Sequence, residues 1–385
     1  MTTFDERPGT YFDSYDNISV HNLMLRDKPR VSKYRDAILK SKNLFKDKIV
    51  LDVGSGTGLL SLFSAQAGAK HVYAVEACHG IAELSKTIIK SNKLEDKITV
   101  LNSEIEKLEL PVENVDIIVS EWMGFYLVHE SMLNSVLYAR DKWLNKETGL
   151  MYPSIAYLYV CPVEMTDYLN ENLTYWSNYY DLNFDSMKKV YKELLLSKPC
   201  IETIKSEQLI DEEKILASLD LKTIPIKELE SIQEYNLEFV ANRGCNLHGF
   251  AFWFDVVFNT DDEIVTLHTG PGHDETHWKQ TITLLPEAIY SFIENNNQDG
   301  ECLTLNEYDQ FKCFVIMNQS DDNPRSYQID IGVDLNKAEA LGGESGEEED
   351  DDDEEHAMPC DCQRLKCVLI KATLERYKSE NKNNE

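Results

Sequence analysis

Apolar positions change their spacing twice along the 385-residue chain, and the changes divide it into three parts. Residues 11–39 carry a helical pattern, with His21, Met24 and Leu25 on one face at i, i+3, i+4 spacing. Asp27, two residues before Pro29, predicts a restart there, with Asp27 as N-cap and Pro29 in the first turn. Tyr11, Phe12 and Tyr15 read as packing residues. From Ile49 the order is strand, tight loop, helix: IVLDV, GSGTG, LLSLFSAQAG. HVYAVE is a second strand, closing on Glu76, and ITVL a third. Ser103 and Glu106 have capping-box spacing, which puts Glu104 in a first helical turn. Val115, Ile117, Ile118 and Val119 surround Asp116 in a short apolar run, expected of a strand covered on both faces. Behind Ser131, helical spacing returns at Met132, Leu133, Val136, Leu137 and Leu144.

Past Pro153 the pattern is β-rich: IAYLYV, YNLEFVA, GFAFWFDVVF, EIVTLHT, FKCFVIM, SYQIDIGVDL and LKCVLIKATL. Such a series predicts an antiparallel barrel or sandwich. Residues 165–199 interrupt it with helical, aromatic character (Tyr168, Tyr175, Trp176, Tyr179, Tyr180, Met187). They read as an interaction arm or as packing against their own domain. The parts are therefore N-terminal helices over 1–48, an α/β domain over 49–152 and a β domain over 153–385. Residues 338–363, rich in Gly, Glu and Asp, lack the apolar content for a core and are predicted to be a disordered insertion before the last strand.

Composition narrows the class. The length suits two domains and 42% hydrophobic residues suffice for globular burial. No apolar run approaches the roughly 20 residues that span a bilayer, and MTTFDERPGTYF lacks a signal-peptide pattern. Nine scattered cysteines argue for reduced thiols, in the cytoplasm or nucleus. A net charge of −30, ten of those negative charges between Glu344 and Glu355, argues against nucleic acid and for a basic partner. His356, Cys360, Cys362 and Cys367 match no common zinc spacing, and no metal is expected.

Two constellations carry chemistry. Gly54, Gly56 and Gly58 let a ligand approach the backbone at a helix start, and Glu76, about 20 residues on, is placed to take ribose hydroxyls. This identifies a nucleoside-containing cofactor and leaves a nicotinamide enzyme as a competitor. Glu121, leaving a strand, and Glu130, at the edge of a helix, flank an aromatic loop. Glu130 alone has the ordinary explanation of complementing the helix dipole. Facing each other in an apolar pocket, the two carboxylates need a cation, and a planar guanidinium suits both.

With VLDVGSGTG, AVE, SEWMGFYLVHESML, LYARDKWL, YFDSYDNISVHNLMLRDKPR and the triplet Thr276–His277–Trp278, the chain resembles the type I protein arginine N-methyltransferases. The resemblance covers most of residues 11–335 and the final strand. It implies an α/β plus β fold: a Rossmann-like S-adenosylmethionine-binding domain, then an antiparallel β-barrel with a helical dimerisation arm. It further implies that Arg30 pairs with the carboxylate of S-adenosylmethionine, with His21 and Gly54 along the cofactor, Glu76 on the ribose and Glu104 at the adenine end. Glu121 and Glu130 would hold the substrate guanidinium, while Tyr15, Met24, Met132 and Trp278 would shape its pocket. His277 and Asp27 would form a proton-accepting pair. The gap between ordinary His and Arg pKa values, about 6.5 against 13, corresponds to roughly 9 kcal/mol, so His277 is read as a late acceptor. Basic Arg-containing proteins, such as histones and Arg-Gly-rich proteins, would be substrates, and a head-to-tail homodimer the assembly. Met24 favours asymmetric dimethylation by the same resemblance. Three features depart from the pattern: His129, where tyrosine is more familiar, the segment ACHGIAELSKTI, and the acidic insertion. A catalytically silent acidic module for basic proteins is the competing reading from outside enzymology.

Overall fold

The computed structural model describes residues 15, 17–261, 263–286, 288–289 and 303–334. Tyr11, Phe12, the insertion at 338–363 with His356, Cys360, Cys362 and Cys367, and the strand LKCVLIKATL lie outside the described residues.

Helix α1 (Ile18–Arg26) starts behind Asn17, whose side chain accepts from the Ser19 amide. Of its expected apolar face His21 is buried, Met24 half-buried and Leu25 exposed. The predicted restart is present. Asp27 caps α2 (Lys28–Lys40), accepting from the Arg30 amide at 3.0 Å, with Pro29 in the first turn. A one-turn helix, α3 (Lys42–Phe45), leads into the first sheet.

That sheet contains β1 (Ile49–Val53), β2 (His71–Glu76), β3 (Ile98–Asn102), β4 (Ile117–Val119) and β5 (Leu150–Tyr152), all parallel, in the order β3-β2-β1-β4-β5. Helices α4 (Leu59–Gln66), α5 (His79–Ser91) and α6 (Met132–Trp143) make the crossovers. With both faces covered, β1 and β4 are almost continuously apolar and buried. The chain runs outward from β1 to β3 and then returns to the other side of β1. The switch point between β1 and β4 opens a crevice at their carboxyl ends, where ligands of such sheets bind.

Pro153 follows β5, where the parallel sheet ends and an antiparallel, β-rich part begins. Strand β11 (Gly249–Asn259) is the spine of this domain. It pairs antiparallel with β6 (Ile155–Val163), β12 (Ile264–His268) and β13 (Gln280–Leu284). β7 (Cys200–Glu202) and β8 (Lys214–Asp220) complete that sheet. A second sheet has the order β16-β15-β9, from β9 (Ser231–Val240), β15 (Gln310–Gln319) and β16 (Tyr327–Asp334). β10 (Cys245–Leu247) and β14 (Leu303–Leu305) form a separate pair. The alternation of apolar residues found β6, β9, β11, β12, β15 and β16. It passed over KILASLD and QTITL, short segments whose pairing depends on distant partners.

The helical segment predicted at 165–199 is present as α7 (Thr166–Asn172), a 3-10 turn at Thr174–Asn178 and α8 (Asp185–Ser197). Tyr180 at 83%, Leu182 at 59% and Val190 at 64% exposure leave it apolar on the outside, as does Leu23 on α1 at 49%. The two domains share a core: Tyr34 of α2 stacks edge-on against Phe258 of β11, and the Tyr152 hydroxyl donates to the Asn259 carbonyl.

Candidate active site

The loop after β1 ends one wall of the crevice. Gly54 has φ +70°, and a Cβ there would lie 2.7 Å from the Met132 methyl, so a side chain at this point would fill the space beneath α6. His21 lies against Gly56, its ring 3.4 Å from where a Cβ would stand. Glu76, at the end of β2, is buried, and its oxygens accept from the Gly56 and Cys78 amides at 2.8 Å each. A carboxylate fixed in this way keeps lone pairs for two neighbouring hydroxyls. These residues fit a nucleoside whose ribose lies over Glu76.

Beneath the loop, burial pushes the Asp52 carboxyl up to about 7, although Ser61 donates to it at 2.7 Å. Glu104 is farther from this geometry. The capping box predicted around it does not form: the Ser103 hydroxyl donates to the Glu104 carbonyl, and Glu106 accepts from Ser135. Glu104 stands ahead of a three-residue 3-10 turn, Ile105–Lys107, in extended conformation, its carboxylate on Lys107. The turn begins one residue later than predicted, with Glu104 at the N-cap, so Ser103 and Glu106 do not occupy the N-cap and N3 positions that a box requires.

The loop after β4 forms the opposite wall. It folds back as expected, closed by reciprocal backbone bonds between Gly124 and Leu127 at 3.0 Å. Only glycine fits at 124, since a Cβ would collide with the His129 carbonyl. Glu121 accepts from Arg30 at Nε (2.9 Å) and Nη2 (2.6 Å), and its other oxygen accepts from the Met123 amide at 3.2 Å. Arg30 also donates to the Met24 carbonyl. A guanidinium therefore already rests on one of the two carboxylates, contributed by the chain itself. The Tyr15 hydroxyl donates to Glu130 at 2.6 Å, and the His21 ring meets the Tyr15 carbonyl at 2.8 Å.

Glu130 differs from its expected setting. It was read as the edge of a helix, but its φ of +73° and ψ of −11° are left-handed, as is Ser131 with φ +52°. A non-glycine residue held there costs on the order of 1–3 kcal/mol. Ser131 precedes α6 but its hydroxyl does not cap the helix; it donates to the Pro324 carbonyl instead. His129, the departure from the family pattern, is buried, its Nδ1 4.0 Å from a Glu130 oxygen and its ring beside Phe125 and Tyr126.

His277 and Asp27 meet across 250 residues of sequence. One Asp27 oxygen caps α2; the other accepts from His277 Nδ1 at 2.6 Å and from its amide at 2.9 Å. Asp27 thus caps the helix and holds His277 at once. Burial raises the Asp27 carboxyl, but the His277 side chain, then the His277 and Arg30 amides, outweigh it and hold the group below the usual carboxylate range. A carboxylate only accepts, so Nδ1 carries the proton and Nε2 is the basic atom. Trp278, expected in the substrate pocket, is 2% exposed, donates to the Met123 carbonyl at 2.8 Å and packs on Phe254. It supports the carboxylate loop instead of lining a surface that a substrate reaches, because the indole N–H is bonded to the loop's own backbone inside the protein.

Sequence reading passed over Arg325 and Gln319, which reach this loop from the β15–β16 turn. Nothing local distinguishes an arginine in SDDNPRS from any surface cation.

Comparisons with known proteins follow the same division. A model of the arginine methyltransferase oligomerization subdomain matches residues 154–338, and one of a methyltransferase domain matches 50–147. The chain is 39% identical over 326 residues to probable protein arginine N-methyltransferase 1.2 of Arabidopsis thaliana, covering 85% of this chain and 83% of that one. With protein arginine N-methyltransferase 1 of Schizosaccharomyces pombe it shares 38% over 330 residues, 86% and 90% of the two chains. Among solved structures, a chain of the Trypanosoma brucei PRMT1 enzyme–prozyme heterotetrameric complex with AdoHcy superposes with a TM-score of 0.73 at 32% identity, over 85% of this chain and 96% of that one.

Proposed function

The chain belongs to the protein arginine N-methyltransferase family, and we propose that it is a type I member, which converts arginine in basic proteins to mono- and then asymmetric dimethylarginine. The methyl donor is S-adenosylmethionine, which supplies an electrophilic methyl on a positively charged sulfur. Gly54, His21 and Glu76 would hold its nucleoside, and Arg30 would meet its carboxylate once drawn from Glu121.

Charge sets the task for the remaining residues. A cationic guanidinium must approach a cationic donor, and two fixed carboxylates offset that repulsion where it is largest. Glu121 and Glu130 would do this from opposite sides of one loop, Glu130 oriented by Tyr15 and Glu121 by the Met123 amide once Arg30 has moved to the cofactor. Orienting the attacking nitrogen supplies up to roughly 7–11 kcal/mol of the barrier. His277 Nε2 takes the proton late, after the nitrogen has become acidic, and the Asp27 carboxylate stabilises the imidazolium that results.

The observation that supports this reading is Arg30 on Glu121: one of the two carboxylates already holds a guanidinium through two N–H donors, the chemistry a substrate arginine would use. Support for the asymmetric product is the half-buried Met24 beside Arg30, together with the resemblance. The apolar outer face of the arm and the exposed Ile18, Leu23 and Leu25 of α1 support a head-to-tail homodimer. Incubation with labelled S-adenosylmethionine and an Arg-Gly-Gly peptide, then chromatography of the hydrolysate, tests the product. Asymmetric dimethylarginine is expected; symmetric dimethylarginine alone, or monomethylarginine alone, overturns the assignment.

A further inference from the structure

The second carboxylate is held by a part of the chain that lies almost 200 residues away. The Glu130 amide donates to the Arg325 carbonyl at 2.7 Å, and Arg325 Nη1 donates back to the Glu130 carbonyl at 2.8 Å. Next to this reciprocal pair, the Ser131 hydroxyl and the Gln319 amide nitrogen both donate to the Pro324 carbonyl. The Tyr327 amide donates to the Tyr126 hydroxyl at 3.2 Å. All of these bonds come from the turn between β15 and β16 and its flanks. Those of Arg325 and Pro324 fall on Glu130 and Ser131, the two consecutive left-handed residues of the loop, where the Gln319 amide nitrogen also meets the Ser131 hydroxyl.

Left-handed backbone at two non-glycine residues persists only where surrounding structure over-determines it. The loop's own contribution at this point is the 3.1 Å bond from the Ser131 amide to the Val128 carbonyl, and the Ser131 hydroxyl makes no capping bond. The ordering bonds come from the barrel domain, whereas Glu121 is placed by β4 and Arg30 within the first domain. We propose that Arg325 is a positioning residue for the arginine-methylating reaction: it clamps the Glu130 backbone in its left-handed conformation and so aims the Glu130 carboxylate at the substrate guanidinium. The assignment rests on the function proposed above. It adds that the barrel domain, besides presenting His277, sets the geometry of the acidic pair. Arg325 touches neither substrate nor cofactor in this role, and its effect is exerted through the peptide groups of Glu130.

The test is a double-mutant cycle on the full-length enzyme with an arginine peptide, reading kcat, KM and the dissociation constant for S-adenosylhomocysteine. Arg325→Ala should lower kcat about 10- to 100-fold, as a misplacement near 1 Å does. The dissociation constant should stay within about twofold, because the glycine loop and Glu76 belong to the other wall. Arg325→Lys, which still offers one donor, should fall between. In a Glu130→Gln background, Arg325→Ala should change kcat less than threefold, because the charge it aims has gone. Gln319→Ala should show the same non-additivity at smaller amplitude, and with Arg325→Lys it carries the test if the alanine variant does not fold. Additive losses, unchanged kcat in Arg325→Ala, or parallel loss of cofactor affinity overturn the proposal. Wild-type enzyme runs in the same assay: its failure to methylate the peptide sinks the parent function, whereas variant behaviour on an active wild type judges only the clamp.

Discussion

Replacing Asp27 by Asn separates the two roles of one carboxylate. Asp27 accepts three hydrogen bonds, one from the Arg30 amide and two from His277. Asparagine offers one oxygen, and its NH2 group cannot accept. Turning the oxygen to His277 leaves the Arg30 amide without its cap, at about 1 kcal/mol; turning it the other way gives up both His277 bonds at once. The first orientation wins. The two retained bonds lose their charge assistance, roughly halving each, so the total destabilisation is about 2–4 kcal/mol. Activity suffers separately, because the imidazolium formed on proton acceptance no longer faces a negative charge. A kcat decrease of about 100-fold is expected, at the lower end of what general-base catalysis contributes. Asp27→Ser provides the control: its hydroxyl still caps α2 but is too short to hold His277. Both variants are to be compared by denaturant midpoint and by kcat at saturating cofactor. The serine variant, which gives up both His277 bonds, should be the less stable and no more active than the asparagine variant. If the capped serine variant is instead both the more stable and the more active, Asp27 is a helix cap and the proton pair is wrong.

Four further outcomes are expected. Glu130→Gln should bind S-adenosylhomocysteine normally while kcat falls on the order of 100-fold, the loss of one preorganised charge; an unchanged turnover number refutes the paired-carboxylate mechanism. The Asp52 carboxyl, raised by burial to about 7 from an ordinary 3.8, keeps its proton in the folded state after the unfolded chain has released it. Its contribution to stability therefore falls as pH rises through that window, and Asp52→Asn should gain on the wild type in melting temperature between pH 5 and 8; a pH-independent offset refutes the shift. Aspartate at Tyr180 and Leu182 of the arm should give monomers in analytical ultracentrifugation, since charges there are incompatible with a buried apolar contact; a persisting dimer places the interface elsewhere. Removing Glu344–Glu355 should lower kcat/KM on long basic proteins at low salt only, with a short peptide unaffected, because such attraction is screened beyond about 8 Å at physiological salt. Equal salt slopes for both enzymes exclude steering.

Much of this protein is legible in its sequence because the relevant physics is local. The IVLDV strand, the glycine turn and the acid ending HVYAVE are set by burial periodicity and backbone freedom over some 30 residues, and the structure has them at the expected crevice. The cap at Asp27 and the return of the Gly124 loop are equally local, each resting on a side chain or turn within a few residues. Tertiary structure decided the rest. Sequence spacing cannot state that Asp27 turns its second oxygen to His277, that Trp278 is buried under Met123, or that Glu130 leaves the helix for left-handed backbone. Each depends on a partner more than 100 residues away. Such bonds leave no periodic trace, since any donor presented by the barrel at the right place would serve. The loop with its two glutamates could be found from the chain alone; the backbone conformation of Glu130 follows from the packing of one domain on the other.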